Sequence, residues 1–89
     1  MTERELRETL DLHRTWISSN CAQGMQANLS HFDLSDRDLA YSELKHAKLM
    51  ATNLSCSDLR DTHLAWADLH AANLNCADFS NADLTHPNL

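Results

Sequence analysis

The chain has 89 residues, 13 acidic against 7 basic side chains for a formal net charge of −6, and a single Gly and a single Pro. That length makes one small domain; the acidity and the lack of Lys/Arg clusters exclude a general nucleic-acid or anionic-membrane binder, and so little Gly and Pro excludes a fold of ordinary hairpins. No apolar run is long enough to span a membrane, and the charged start TERELRET lacks the apolar core of a secretory signal, so the expected location is cytoplasmic.

Residues 2 to 18 read as a helix. Thr2 followed by Glu5 fits a capping box, in which a hydroxyl and a carboxylate each accept the other's backbone N–H. Leu6, Leu10, His13 and Ile17 then recur at spacings of four, three and four, with Leu12 and Trp16 widening the stripe. Ser18, Ser19 and Asn20 end the helix, and Gly24 offers a turn. Residues 1–25 are therefore expected to form a capping helix with its connecting turn, and residues 26–89 a second unit.

In that second unit the chain counts in fives. Every fifth position from 29 to 89 is Leu, except for Phe79, and no Leu after residue 12 lies outside this register. With Leu at about one residue in ten in average proteins, chance does not produce this. Two residues before each Leu sits a mostly small side chain (Ala27, Ser42, Ala47, Thr52, Ser57), and one residue before it mostly Asp or Asn. A period of five fits neither the 3.6 of a helix nor the 2 of a strand.

The A-(D/N)-L-x-x pattern resembles the pentapeptide-repeat proteins from about Ala27 to Leu89. The stretch LDLHRTWISSNCAQGMQANL also resembles the leader that precedes the repeats in some members, at His13, Trp16 and Gly24. The resemblance implies an all-β solenoid: a right-handed quadrilateral β-helix, one pentad per side and four per coil, of about three coils, with Leu and the small residue pointing inward. Phe32 and Arg37 break the small-residue pattern in the first coil. There the helix is expected to dock as an N-terminal cap, with Leu6, Leu10, Trp16 and Ile17 covering the coil's apolar bottom, as terminal caps do in repeat proteins.

Residues twenty apart then stack in columns. Asp38, Asp58 and Asp78 form an acidic column, which reads either as a strip imitating DNA phosphates or as turn-forming carboxylates bonded to the local backbone. His46, Trp66 and His86 form a column proposed as a partner contact, since aromatics are enriched at binding hot spots. Cys56 and Cys76 share a column with Asp36; parallel Cβ vectors suit a disulfide poorly, and free stacked thiols are expected. His31, His63 and His70 are scattered. Ser55 and Ala65 are expected to face outward, where substitution is silent. A filled tube offers no active-site cavity, so no catalytic, cofactor or metal residue is expected.

The function that follows is a non-enzymatic interaction module presenting a rigid acidic surface to a protein partner. The alternative is a DNA-mimicking protector or inhibitor of a DNA-binding enzyme such as DNA gyrase, the role that the family resemblance implies through its quinolone-resistance members. At the far end the chain stays in register through Thr85-His86-Pro87-Asn88-Leu89. The last coil is thus expected to expose Leu74, Phe79, Leu84 and Leu89 and to join a second copy top to top in a homodimer.

Overall fold

The computed structural model describes all 89 residues, Met1–Leu89. It opens with one helix, α1 (Glu3–Ser18), capped by Thr2. The capping box forms as expected: the Glu5 N–H donates to Thr2 Oγ1 (3.1 Å) and the Thr2 N–H to Glu5 Oε1 (2.9 Å). After α1 the chain doubles back at Gly24, whose φ is +75°. A Cβ there would lie 2.3 Å from the Leu12 carbonyl oxygen and 2.7 Å from the Trp16 nitrogen, so both the left-handed backbone and the close approach require glycine.

Residues 27–89 form a stack of coils that advance twenty residues at a time. Nine parallel bridges, from Asn28↔Lys48 to Asp68↔Asn88, all join residues twenty apart, in four columns. The coils are residues 27–46, 47–66 and 67–86, with the last residues beginning another side. Each side contributes one bridging residue and no continuous strand. The reason is the turn that closes every pentad. The residue two after each Leu, from His31 to His86, has φ between 50° and 69°, and none of these is glycine. Such a conformation costs an L-residue roughly 1–2 kcal/mol, and it ends the extended segment before a strand can lengthen.

The ladder offsets that strain by leaving few backbone donors unused. In the pentad of Leu34, the Leu34 N–H donates to Asn53 O (2.8 Å) and the left-handed Asp36 to Ser55 O (3.0 Å), both one coil later. The bridging residue donates the opposite way, as Asn53 N–H does to Phe32 O (3.0 Å). The small residue closes the turn, as Ser42 N–H does on Leu39 O (3.2 Å). The fifth N–H is taken by the Asp or Asn side chain, as Ser35 N–H is by Asp33 Oδ1 (3.0 Å). The Asp/Asn position is therefore built into the turn.

Leu29 through Leu64 on the five-residue register are at most 1 % exposed, together with Ala27, Ala47 and Ala67. The three buried hydroxyls at small-residue positions all donate: Thr52 to Leu29 O, Ser57 to Leu54 O and Thr62 to Leu59 O, at 2.7–2.8 Å.

α1 caps the first coil, by a different set of contacts from that expected. Leu6 and Leu10 join the core, but Leu12 is 46 % exposed and Trp16 and Ile17 are only half-buried. The returning segment takes that part of the helix surface, with the Met25 N–H donating to Leu12 O at 3.1 Å. Polar contacts supply the rest. The first coil turns carbonyls toward α1, and Arg7 donates to Asp38 O (2.6 Å) and His13 Nε2 to Lys45 O (2.8 Å). His13 is fully buried, and its Nδ1 accepts the Ala27 N–H at 2.9 Å, which fixes the neutral Nε2–H tautomer. Arg37, one of the two pattern-breakers, reaches Glu3 Oε2 (3.0 Å) and Met1 O (2.6 Å), while Phe32 stays exposed.

Candidate functional site

The left-handed residue of each pentad projects outward while its N–H is fixed to the next coil, so columns of these residues form aligned surface rows. His46, Trp66 and His86 form one row. Their rings are nearly parallel, with His46–Trp66 centroids 6.2 Å apart at 12° and Trp66–His86 centroids 4.3 Å apart at 13°. Gln26 continues the row downward, its Nε2 donating to His46 O at 2.8 Å. Trp66 keeps 52 % of its surface exposed even inside the stack. A large flat ring is thereby held in one orientation, having already given up the side-chain freedom that a partner would otherwise have to restrict.

Asp38, Asp58 and Asp78 bridge in one column, as expected, but their carboxylates are engaged. Each Oδ1 accepts the backbone N–H two residues on, from Ala40, Arg60 and Ser80, at 3.0–3.1 Å. Arg60 also grips Asp58 with two side-chain bonds of 2.8 and 2.7 Å, and this holds the Asp58 carboxyl below the usual carboxylate range. Asp78 is lowered as well, chiefly by the Ser80 hydroxyl. A guanidinium thus sits in the middle of the acidic strip.

A groove of about 630 Å³ runs beside this face, lined in part by Ile17, Tyr41, Lys45, Asp61, His63 and Ala65. Here the structure corrects the expectation for Ala65: it is 7 % exposed and lies on the groove floor rather than on an outward ridge. Nearby, His63 stands where most pentads have Asp or Asn, and its Nδ1 faces Glu43 Oε2 at 3.1 Å. Asp83, next in that column, is lowered mainly by its bonds to Thr85. Two further features were beyond sequence reasoning, the His13 latch and the Arg37 clamp. For Arg37 a signal existed, a long cation in a small-residue position; for His13 there was none beyond its place on the helix stripe.

In the last coil Leu74 and Phe79 are half-buried, Leu84 is 37 % exposed and Leu89 71 % exposed. Leu74 and Phe79 pack against the buried cluster, and Leu84 and Leu89 leave an apolar rim beside them. Cys21, Cys56 and Cys76 are free and exposed. No helix is long and apolar enough to cross a membrane.

A twenty-residue coil assembled from five-residue units defines a repeat protein in which each unit packs only on its neighbours. Residues 27–64 and 62–89 match the family described as Pentapeptide repeats (8 copies), and the chain belongs to the pentapeptide-repeat family. A comparison with curated proteins finds no match.

Proposed function

We propose that this chain is a non-enzymatic protein-interaction module, a right-handed quadrilateral β-helix of about three coils capped by α1, acting in the cytoplasm. Family membership and the twenty-residue bridges support the architecture. The observation that carries the function is Trp66, exposed yet immobilised between His46 and His86, as a binding anchor is. Immobilised wild type is expected to retain a protein from host lysate that Trp66→Ala releases, with unchanged circular dichroism. Equal retention by both chains overturns the assignment of this column.

The DNA-mimic reading draws less support. Its acidic column is occupied by turn bonds and by Arg60, and three coils at about 4.8 Å each span little duplex. A gyrase supercoiling assay without effect, with and without quinolone, removes it.

For the homodimer, the rim of Leu74, Phe79, Leu84 and Leu89 supplies the contact. The two-to-one direction of the ladder amides gives the last coil more outward N–H groups than carbonyls, so two copies meeting top to top face donor against donor. The contact therefore rests on side chains. Light scattering at micromolar concentration is expected to give a dimer that Phe79→Asp converts to monomer; a wild-type mass near 10.1 kDa overturns it.

A further inference from the structure

Another row on the coil surface has no part in the core, the cap or the aromatic column. Cys56 and Cys76 occupy equivalent left-handed positions, with φ of 56° and 62°, on the middle and last coils. Register between them is fixed beside the pair, since the Cys56 N–H donates to Asn75 O at 2.8 Å. Both thiols are free and exposed. Coils stacked at about 4.8 Å in register bring the two Cβ atoms to about that separation, and matching rotamers carry it out to the sulfurs. A disulfide needs sulfurs about 2.05 Å apart, which parallel Cβ vectors do not deliver. Two metal–sulfur bonds set end to end, each of a length close to the roughly 2.3 Å of a zinc thiolate, span a gap of the order of the coil spacing when the S–metal–S unit is linear.

The spacing selects the ion. No three His, Cys, Asp or Glu side chains converge anywhere in the chain, so neither the four-ligand set of structural zinc nor a three-thiolate site can form. Two thiolates alone suit a soft ion that accepts two-coordinate geometry, and thiolate is the ligand that favours copper(I) over harder cations. We propose that Cys56 and Cys76 form a bidentate site for a soft monovalent cation of the copper(I) and silver(I) class. Two S–H bonds break and two S–metal bonds form, both protons leave to solvent, and no electron is transferred. Because each thiol must give up its proton to bind, loading releases protons and strengthens as pH rises. Cys21 lies in the segment between α1 and the coils, where it serves as an internal control.

Anaerobic titration of the full chain with copper(I) against a chromophoric copper(I) chelator tests the site. One ion per chain is expected to be withheld from the chelator. Cys56→Ser and Cys76→Ser should each weaken retention roughly 10²-fold or more through loss of the second ligand, while Cys21→Ser retains the ion like the wild type. Circular dichroism checks that the serine variants fold, as exposed positions predict. The proposal is overturned if Cys21→Ser loses as much copper as the other two, if loading raises the mass by light scattering above that of the metal-free protein, or if mild oxidation with a small-molecule disulfide links Cys56 to Cys76 quantitatively.

Discussion

The first and last coils are built from the same pentad, yet Leu29, Leu34, Leu39 and Leu44 are at most 1 % exposed while Leu84 is 37 % exposed. Both are terminal in the stack. What differs is α1, which lays Leu6 and Leu10 on the first coil and meets its carbonyls with Arg7 and His13. A pentad register thus determines which way a Leu points, and the next layer determines whether it is buried.

Removing residues 1–20 should abolish the contrast and give the largest effect. The first coil would then expose its Leu layer and its carbonyl edge, a template for pairing with other chains. Aggregation or failure to fold is expected on size-exclusion chromatography; a soluble monomeric truncation with native circular dichroism would show the helix to be dispensable. Next come two matched substitutions. Leu34→Asp buries an unpaired charge and should cost several kcal/mol, most of a small domain's stability, whereas Leu84→Asp at the exposed rim should cost about 1 kcal/mol or less. Comparable melting points for the two would erase the distinction between covered and uncovered ends.

The smallest effect is in pH. Burial lowers the His13 pKa from its usual 6.5, outweighing the Lys45 carbonyl and Glu43, which raise it. Because the folded-state value is depressed, the latch contributes fully above pH 6.5 and its contribution is lost as pH falls through the folded value. The lowered carboxyls of Asp33, Asp58, Asp78 and Asp83 act in a separate window, contributing above their ordinary 3.8 and fading below it. Denaturant midpoints should therefore drop first between pH 7 and 5, and His13→Gln should flatten that first drop. An unchanged slope in the variant would assign the titration to another group.

The Leu register and the Thr2–Glu5 box made the core and the start of α1 legible, because each is a local pattern with one physical solution. The left-handed residue in every pentad was hidden, since its usual marker is glycine and here it is Tyr41, Ala51 or Trp66. What enforces it is the N–H bond to the next coil, a contact between residues nineteen apart such as Ala51 to His70. The burial of Ala65 was hidden too, because it depends on the groove between faces and on no property of its own pentad. The columns followed from counting by twenty, but the neutralising grip of Arg60 on Asp58 depends on a rotamer that no spacing encodes.

The ladder also has an electrical sense. In each pentad two amides donate toward the following coil and one toward the preceding coil, as Leu34, Asp36 and Asn53 illustrate. The peptide dipoles, about 3.5 D each, therefore do not cancel along the stack. The surplus leaves the negative pole at the first coil, where Arg7 and the His13 N–H make their donations. The positive pole lies at the last coil, beside the rim of Leu84 and Leu89. At that one face the chain therefore offers unpaired N–H groups, fitted to a neutral carbonyl oxygen, while Asp68, Asp78 and Asp83 keep the same coil negative and unfavourable to a carboxylate.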